Sequence, residues 1–402
     1  MYLEKIKINK FHVLKDVEIC FQAPRSATAD RDTGNIVNVL AGINGCGKTS
    51  LLEAIFEGFS NQNQFFSGDS GEFYIGDLSS QEVDTKVSNS VCISKDNFQT
   101  LSRETQAIEQ NQDLLIGNAR LIFLPSAHGF SSPQQSTQSL SFGFGLFPPE
   151  RFAYKVDISP FTLRNNIEAF IKDYVLAEER NSLHGDPQKR ATEAIGKFNS
   201  HFLDVKLLTK LTKLQKVTNR PLFCNVLNEE VTIDQLSDGE KQLHMRVVEL
   251  LRLQPNNSII LIDEPEIGLH PEWQQKILSI YRKIGRGNQF IVTTHSPQII
   301  ANTRYEDLVV LHKQQEKIVS MYPTQPPTGV DANSVLSEIM GVEEILPIDV
   351  LELRQRYRQF VNQKKETSPE AEMIKEKLLQ RESIDSKFMQ EMRLLLRLRN
   401  RG

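Results

Sequence analysis

No run of apolar residues in this chain approaches the roughly 18 needed to span a bilayer. The N-terminus alternates charged and apolar residues, unlike a secretory leader. These absences make the cytoplasm the expected location and leave no direct membrane contact. Cysteine is scarce: Cys20, Cys46, Cys92 and Cys224 lie far apart with no CxxC, which excludes a disulfide framework and reads as reduced thiols. The net charge of −4 supplies no overall field toward nucleic acid or acidic lipid, so any such contact needs a local patch. Sustained heptads are missing, which excludes long coiled-coil arms, and there is no internal repeat. What remains is ordinary for a globular protein: 402 residues, 39% hydrophobic and 24% charged, enough for one large α/β domain or two modest ones.

Along the chain, residues 2–21 alternate twice (Leu3, Ile6, Ile8, then Val17, Ile19, Phe21), predicting a hairpin with one buried face. Residues 23–35 are turn-formers. Ile36 to Leu40 is a short buried strand, and Ser50 to Phe59 reads as a helix. Residues 60–118 are polar with weak strands, Arg120 to Leu124 is a strand, and 126–149 reads as an exposed loop. Helices are expected near Leu163–Glu179 and Pro187–Phe202, then strands around 205–233, at Ser258–Ile262 and at Gln289–Thr293. The chain is expected to be helical beyond about 345. The domain reading is a head over 1–345, with a loop-rich region at 60–150 and a helical insertion at 160–205, and a helical extension over 346–402.

Chemistry concentrates in four short motifs. Gly42-Ile-Asn44-Gly45-Cys46-Gly47-Lys48-Thr49, followed by Ser50, fits GxxxxGK[ST] between a strand and a helix, the context a phosphate loop requires. Its glycines let backbone N–H groups curl round a phosphate, and the helix N-terminus adds partial positive charge. Lys48 should reach the β- and γ-phosphates of ATP, and the Thr49 hydroxyl should ligate Mg²⁺. Cys46 reads as a tolerated small residue. The second motif, Ile259-Ile-Leu-Ile262-Asp263-Glu264-Pro265-Glu266, is a buried strand ending in acids. Asp263 is expected to hold Mg²⁺ with Thr49, and Glu264 to act as general base on the attacking water. The third, Leu236-Ser237-Asp238-Gly239-Glu240-Lys241-Gln242, opens an amphipathic helix carrying Leu243, Val247, Val248, Leu250 and Leu251. The fourth, Thr293-Thr294-His295-Ser296-Pro297, closes a strand.

The third motif resembles the signature of ABC-type ATPases, in the form found in the RecF and SMC-like group. The resemblance covers about 1–60 and 220–312. It implies a P-loop head with a mixed, mostly parallel sheet and N-terminal antiparallel strands. It also implies an ATP-dependent homodimer, or higher even oligomer, in which two heads sandwich two ATPs. Ser237, Asp238, Gly239 and Glu240 of one head would then face the ATP held by the other, and His295 would touch the γ-phosphate in catalysis beside Glu264 and Lys48. The glutamine that this family places between the first and third motifs is not assigned; Gln62, Gln64, Gln134 and Gln135 stay open. Ile267-Gly-Leu-His-Pro271 lacks the aspartate of transporters and is similar to RecF, OLD and related defence ATPases.

Lys48 and Ser237 stand 189 residues apart, too far for a transporter head. Beyond residue 312 there is no DxD, and the acids there are interleaved with Lys and Arg, so a TOPRIM nuclease centre is not expected. The chain thus looks like the ATPases of anti-phage systems of the Septu type, including retron-associated ones, or of the PARIS type. The segment from Gly329 to Leu336, then Met340 to Val342, is similar to the region after the head in Septu-like ATPases. The resemblance implies control of a separate effector, an HNH or TOPRIM nuclease. The alternative is a RecF-like DNA-repair clamp; an ATPase serving a membrane partner is the third reading. Residues 351–402 hold thirteen Lys/Arg against eight Asp/Glu, and Lys206, Lys210, Lys213 and Lys216 form a second basic run. Both read either as nucleic-acid contacts or, preferably, as solvated surface or docking for an acidic partner. Leu394, Leu395, Leu396 and Leu398 are expected to pack on the head, on a twin subunit or on an effector protein.

Overall fold

The computed structural model describes residues 2–24, 26–60, 70–76, 91–93, 120–126, 153–156, 160–314, 317–324, 335, 339–340 and 347–399. By compactness the chain divides into two units, 1–335 and 336–402.

The first unit opens with β1 (Tyr2–Phe11) and β2 (Leu14–Cys20), then β3 (Ile36–Ala41) and helix α1 (Lys48–Ser60). Strands β4 (Ser70–Gly76), β5 (Val91–Ile93), β6 (Leu121–Leu124) and β7 (Ala153–Lys155) follow, then helices α2 (Pro160–Asn181) and α3 (Pro187–Ser200). Three short strands, β8 (Lys210–Leu214), β9 (Pro221–Cys224) and β10 (Glu230–Val231), precede helix α4 (Asp238–Leu253). Next come β11 (Ile259–Asp263), helices α5 (Pro271–Gln274) and α6 (Ile277–Arg282), β12 (Gln289–Thr294), α7 (Pro297–Ala301), β13 (Leu308–Gln314) and β14 (Lys317–Met321).

The central sheet has seven strands in the order β14-β13-β3-β12-β11-β6-β7, parallel except for the β13–β14 hairpin at its edge. Strands β3, β11 and β12 are buried at every residue, as strands covered on both faces must be. A four-stranded antiparallel sheet, β2-β1-β4-β5, covers one side. The expected alternation holds: Leu3, Ile6, Ile8, Val17, Ile19 and Phe21 are buried. One apolar core joins them to Leu51, Leu52 and Ile55 of α1 and to Leu40, Phe123, Leu261 and Ile291 of the central sheet. Each fully buried side chain of that size contributes about 1.5–3 kcal/mol. A buried amide ties the two sheets: Gln289 Oε1 accepts from Leu3 N–H at 2.7 Å, and its Nε2 donates to Leu3 O at 2.8 Å.

The helical insertion is α2 and α3. Asp186 caps α3 through Gln188 N–H, with Pro187 at the first turn where its missing N–H costs nothing. Helix α2 packs on α4. As a result α4 is not amphipathic in place: from Leu243 to Leu253 every residue is buried. The apolar spacing predicted one exposed face, and the insertion covers it.

The second unit holds α8 (Ile348–Asn362), α9 (Pro369–Leu379) and α10 (Lys387–Arg399) around Val350, Tyr357, Leu378, Phe388, Met389 and Met392. The segments 126–149 and 329–342, read from sequence as a loop and as a Septu-like stretch, lie almost entirely outside the described residues. Gln62, Gln64, Gln134 and Gln135 lie outside them altogether.

Candidate functional site: a phosphate loop, two acids and a histidine at one sheet edge

Parallel register brings three motifs together. Thr294 of β12 lies beside Ala41 of β3, and Thr293 beside Asp263 of β11. The phosphate loop, the Asp263–Glu264 pair and the Thr293–Ser296 turn therefore leave adjacent strands at the same, C-terminal edge. Open α/β sheets bind ligands at that edge.

The loop needs its glycines. Gly42 has φ +151°, and a Cβ there would fall 2.5 Å from Leu311 O and 2.7 Å from Cys46 Sγ. A Cβ on Gly47, at φ +83°, would meet Leu14 Cδ2 at 2.6 Å, where the β1–β2 hairpin presses on the loop. Asn44 and Gly45 are exposed at the rim, Ser50 is half-buried, and Cys46 is inside. Burial pushes the Cys46 thiol up, and the nearby Lys48 charge opposes it only in part. A buried thiol of raised pKa fits the small-residue reading.

Lys48 is buried, its Nζ donating to Gly42 O at 2.8 Å and Ile43 O at 3.2 Å, and standing 3.2 Å from His295 Nδ1. Desolvation lowers its pKa, while Cys46, Glu264, Asp263 and Glu266 pull it back up. A lysine ammonium can only donate, so His295 Nδ1 accepts and its proton sits on Nε2. Nε2 in turn faces Glu264 Oε1 at 2.9 Å. Lys48, His295 and Glu264 thus form one polar chain.

Thr49 Oγ1 donates to the Asp263 carboxylate, 3.1 Å from both oxygens, and Thr293 Oγ1 donates to Asp263 Oδ1 at 2.5 Å. Burial raises the Asp263 pKa; the Thr293 bond lowers it and neighbouring Glu264 raises it further. A hydroxyl and a carboxylate converging beside a phosphate loop form the oxygen donor set that suits Mg²⁺.

Glu266, quoted in the motif without a role, holds the histidine turn. Its Oε1 accepts from Thr294 Oγ1 at 2.6 Å, His295 N–H at 2.6 Å and Ser296 N–H at 3.0 Å. Burial raises its pKa against those bonds. Strand register brings residues 294–296 to it, so the N–H groups ahead of α7 are satisfied by an acid two residues past Asp263–Glu264.

The signature lies apart from this chain of contacts. Ser237 caps α4, accepting from Glu240 N–H at 3.3 Å while Glu240 Oε2 accepts from Ser237 N–H at 3.3 Å, a capping box. Glu240 is buried and its other oxygen accepts from Thr209 Oγ1 at 2.8 Å, so its carboxylate is committed within its own chain. Ser237 and Asp238 face solvent.

Part of the basic stretches is paired. Arg358 meets Glu391 at 3.1 Å and Arg381 meets Asp349 at 2.7 Å, and Arg354 and Arg399 bond Glu382 and Glu366. Lys213 bonds Glu230, while Lys206, Lys210 and Lys216 are exposed. Leu396 packs into the second unit's own core, whereas Leu394, Leu395 and Leu398 stay 56%, 40% and 60% exposed. Leu396 thus packs within the extension itself, which is none of the three surfaces expected from sequence.

A strand–loop–helix phosphate site, an acid pair on the next-but-one strand and a histidine turn between them form a P-loop NTPase-like α/β head. A family profile described as "AAA domain, putative AbiEii toxin, Type IV TA system" matches residues 159–301, from the insertion through α7. Over 42% of this chain, the "Retron Ec83 probable ATPase" of Escherichia coli is 31% identical, across 32% of its own length. The "Septu protein PtuA" of Bacillus mycoides is 22% identical over 93% of this chain and 49% of its length. That of Bacillus thuringiensis is 25% identical over 77% of this chain and 79% of its length. The chain thus spans about a third of that retron relative and about half of the Bacillus mycoides one. In sequence it resembles these retron and Septu proteins. Among the described residues no helix is long and apolar enough to cross a membrane.

Proposed function

We propose that this chain binds ATP and hydrolyses it to ADP and phosphate, as the ATPase subunit of an anti-phage defence complex. Two heads close on two ATPs, and the closed state controls a separate effector, a nuclease of HNH or TOPRIM chemistry. The observation that carries the enzymatic part is the Lys48–His295–Glu264 chain beside the Thr49–Asp263 pair. The loop N–H groups and Lys48 grip the phosphates. Thr49 and Asp263 would hold Mg²⁺, which supplies charge neutralisation at the β- and γ-phosphates. Glu264 takes a proton from the attacking water, and His295 keeps its carboxylate aimed toward the γ-phosphate. The exposed Ser237 and the Gly239 N–H, at a helix N-terminus, suit a phosphate brought by a second head. The effector role rests on the retron and Septu likeness.

The test is Glu264→Gln, followed by turnover and by light scattering with ATP and with ADP. Turnover should fall about 10²–10⁴-fold with ATP still bound, and the mass should double with ATP alone. Normal hydrolysis would remove Glu264 as the base, and an unchanged mass would remove the sandwich. Pull-down of the trapped protein from its host should recover a nuclease; DNA without an effector would favour the repair clamp.

A further inference from the structure

Arg246 has no part in the nucleotide site described above, yet it sits against it. It lies on α4, about two turns beyond the signature, and is 4% exposed. Burying a guanidinium is costly unless every donor finds good geometry. Its fork goes to two backbone carbonyls rather than a carboxylate: Nη1 donates to Glu264 O at 3.2 Å and Nη2 to Ile267 O at 3.2 Å. Burial lowers its pKa, and Tyr281, Glu266 and Asp263 nearby oppose that only in part.

The backbone it grips is strained. Glu264 has φ +47°, a left-handed conformation that costs a side-chain-bearing residue about 1 kcal/mol or more. That turn accompanies the carboxylate's approach to within 2.9 Å of His295. The peptide is held on both sides. Glu264 N–H donates to Thr293 O at 3.1 Å and faces Thr293 Oγ1 at 3.3 Å, while its carbonyl accepts from Arg246 and from Ile267 N–H.

Other residues of α4 lean on the same segment. A Cβ on Gly268 would stand 3.3 Å from Gln242 Cγ, and one on Gly239 would stand 3.1 Å from Trp273 Cζ3 and 3.2 Å from Gly268 O. Gly239, Gln242 and Arg246 follow i, i+3, i+7 spacing, one stripe of the helix. The signature glycine and the arginine are therefore laid along one stretch of chain, from Glu264 to Trp273.

We propose that Arg246 is a positioning residue that couples the signature to the general base. It keeps Glu264 in its turned conformation, and it does so from the helix whose N-terminus is the signature. In the ATP sandwich, on which this inference rests, a head's signature touches its partner's nucleotide while Glu264 serves its own. Arg246 then links the two nucleotides, so that capture in trans sets the base in cis.

The experiment compares Arg246→Lys and Arg246→Met with Glu264→Gln, reading thermal unfolding, ATP affinity, kcat and the Hill coefficient of turnover in ATP. A misplaced base predicts a kcat loss of about 10²-fold for Arg246→Met. ATP affinity should stay within about threefold, and the Hill coefficient should fall to about one. Arg246→Lys, able to hold one carbonyl, should lose about tenfold and keep part of the cooperativity. A packing role alone would move unfolding and affinity together and leave the Hill coefficient at the wild-type value. If Arg246→Met does not fold, Arg246→Lys decides. Wild-type kcat in folded Arg246→Lys, equal losses of kcat and affinity, or failure of both variants to fold would overturn the proposal. Inactive Glu264→Gln beside active Arg246 variants would sink the coupling alone, whereas active Glu264→Gln would sink the base assignment beneath it.

Discussion

The phosphate-loop edge and the signature helix handle charge in opposite ways. At the edge, Lys48, Asp263, Glu264, Glu266 and His295 are close enough to satisfy one another, and their contacts span three strands. On α4 the capping Ser237 and Asp238 are exposed, while the body buries His244, Arg246, Glu249 and Arg252. The edge is assembled from side chains of neighbouring strands. The helix offers its N-terminus outward and spends its buried polar groups on fixing where it sits.

The comparison breaks most strongly at Glu249. It pairs with Arg252 at 2.5 Å, both side chains 6% exposed, and Arg252 also reaches Tyr154 and the Phe170 ring. Glu249→Leu strands a buried cation and should cost about 3–5 kcal/mol in denaturant unfolding. Adding Arg252→Met should recover much of it, because the apolar pair carries no desolvation penalty. Failure of the double variant to recover would mean that the pair specifies the helix's place rather than merely neutralising itself.

At the edge, Lys48→Ala should weaken ATP binding and turnover about 10²–10³-fold, as for loss of one preorganised donor. Stability of the apo protein should fall by about 1–3 kcal/mol, since the buried Gly42 carbonyl loses its donor. Isothermal titration and steady-state turnover check the two halves of that statement separately.

His244 sharpens the contrast through pH. It lies among Phe198, Phe202 and Phe223, and burial drives its pKa from 6.5 down to about 3. The unfolded chain therefore binds the extra proton first. Stability from this group is complete above pH 6.5 and is lost as pH falls toward about 3, by up to about 1.4 kcal/mol per unit. His244→Phe should flatten that slope in melts taken across the window.

Much of this was legible in sequence wherever chemistry and local structure coincide. The phosphate loop, the Asp263–Glu264 pair and His295 each sit on a strand end that apolar runs announce. The β13–β14 edge hairpin was not legible, because its short strands lack a turn signal strong enough to mark them. Glu266 was hidden for a different reason: its donors lie on residues 294–296, brought near only by strand register. Arg246 gave no signal in sequence, because its partners are the carbonyls of Glu264 and Ile267, which only the fold brings to it.

The smallest effect asks whether the signature serves its own chain or another. Ser237→Ala removes the α4 cap and should cost about 1 kcal/mol, since Glu240 keeps its bond from Thr209 and the buried body of the helix is untouched. If the signature acted only as a cap, turnover would follow that small change and ATP affinity would hold. If it faces a partner's nucleotide, turnover should collapse while ATP still binds each head. Mixing Ser237→Ala with Lys48→Ala then separates the cases, because a mixed pair joins one intact loop to one intact signature. Partial recovery of turnover on mixing two inactive proteins requires a site shared across two chains; no recovery at any ratio confines Ser237 to its own.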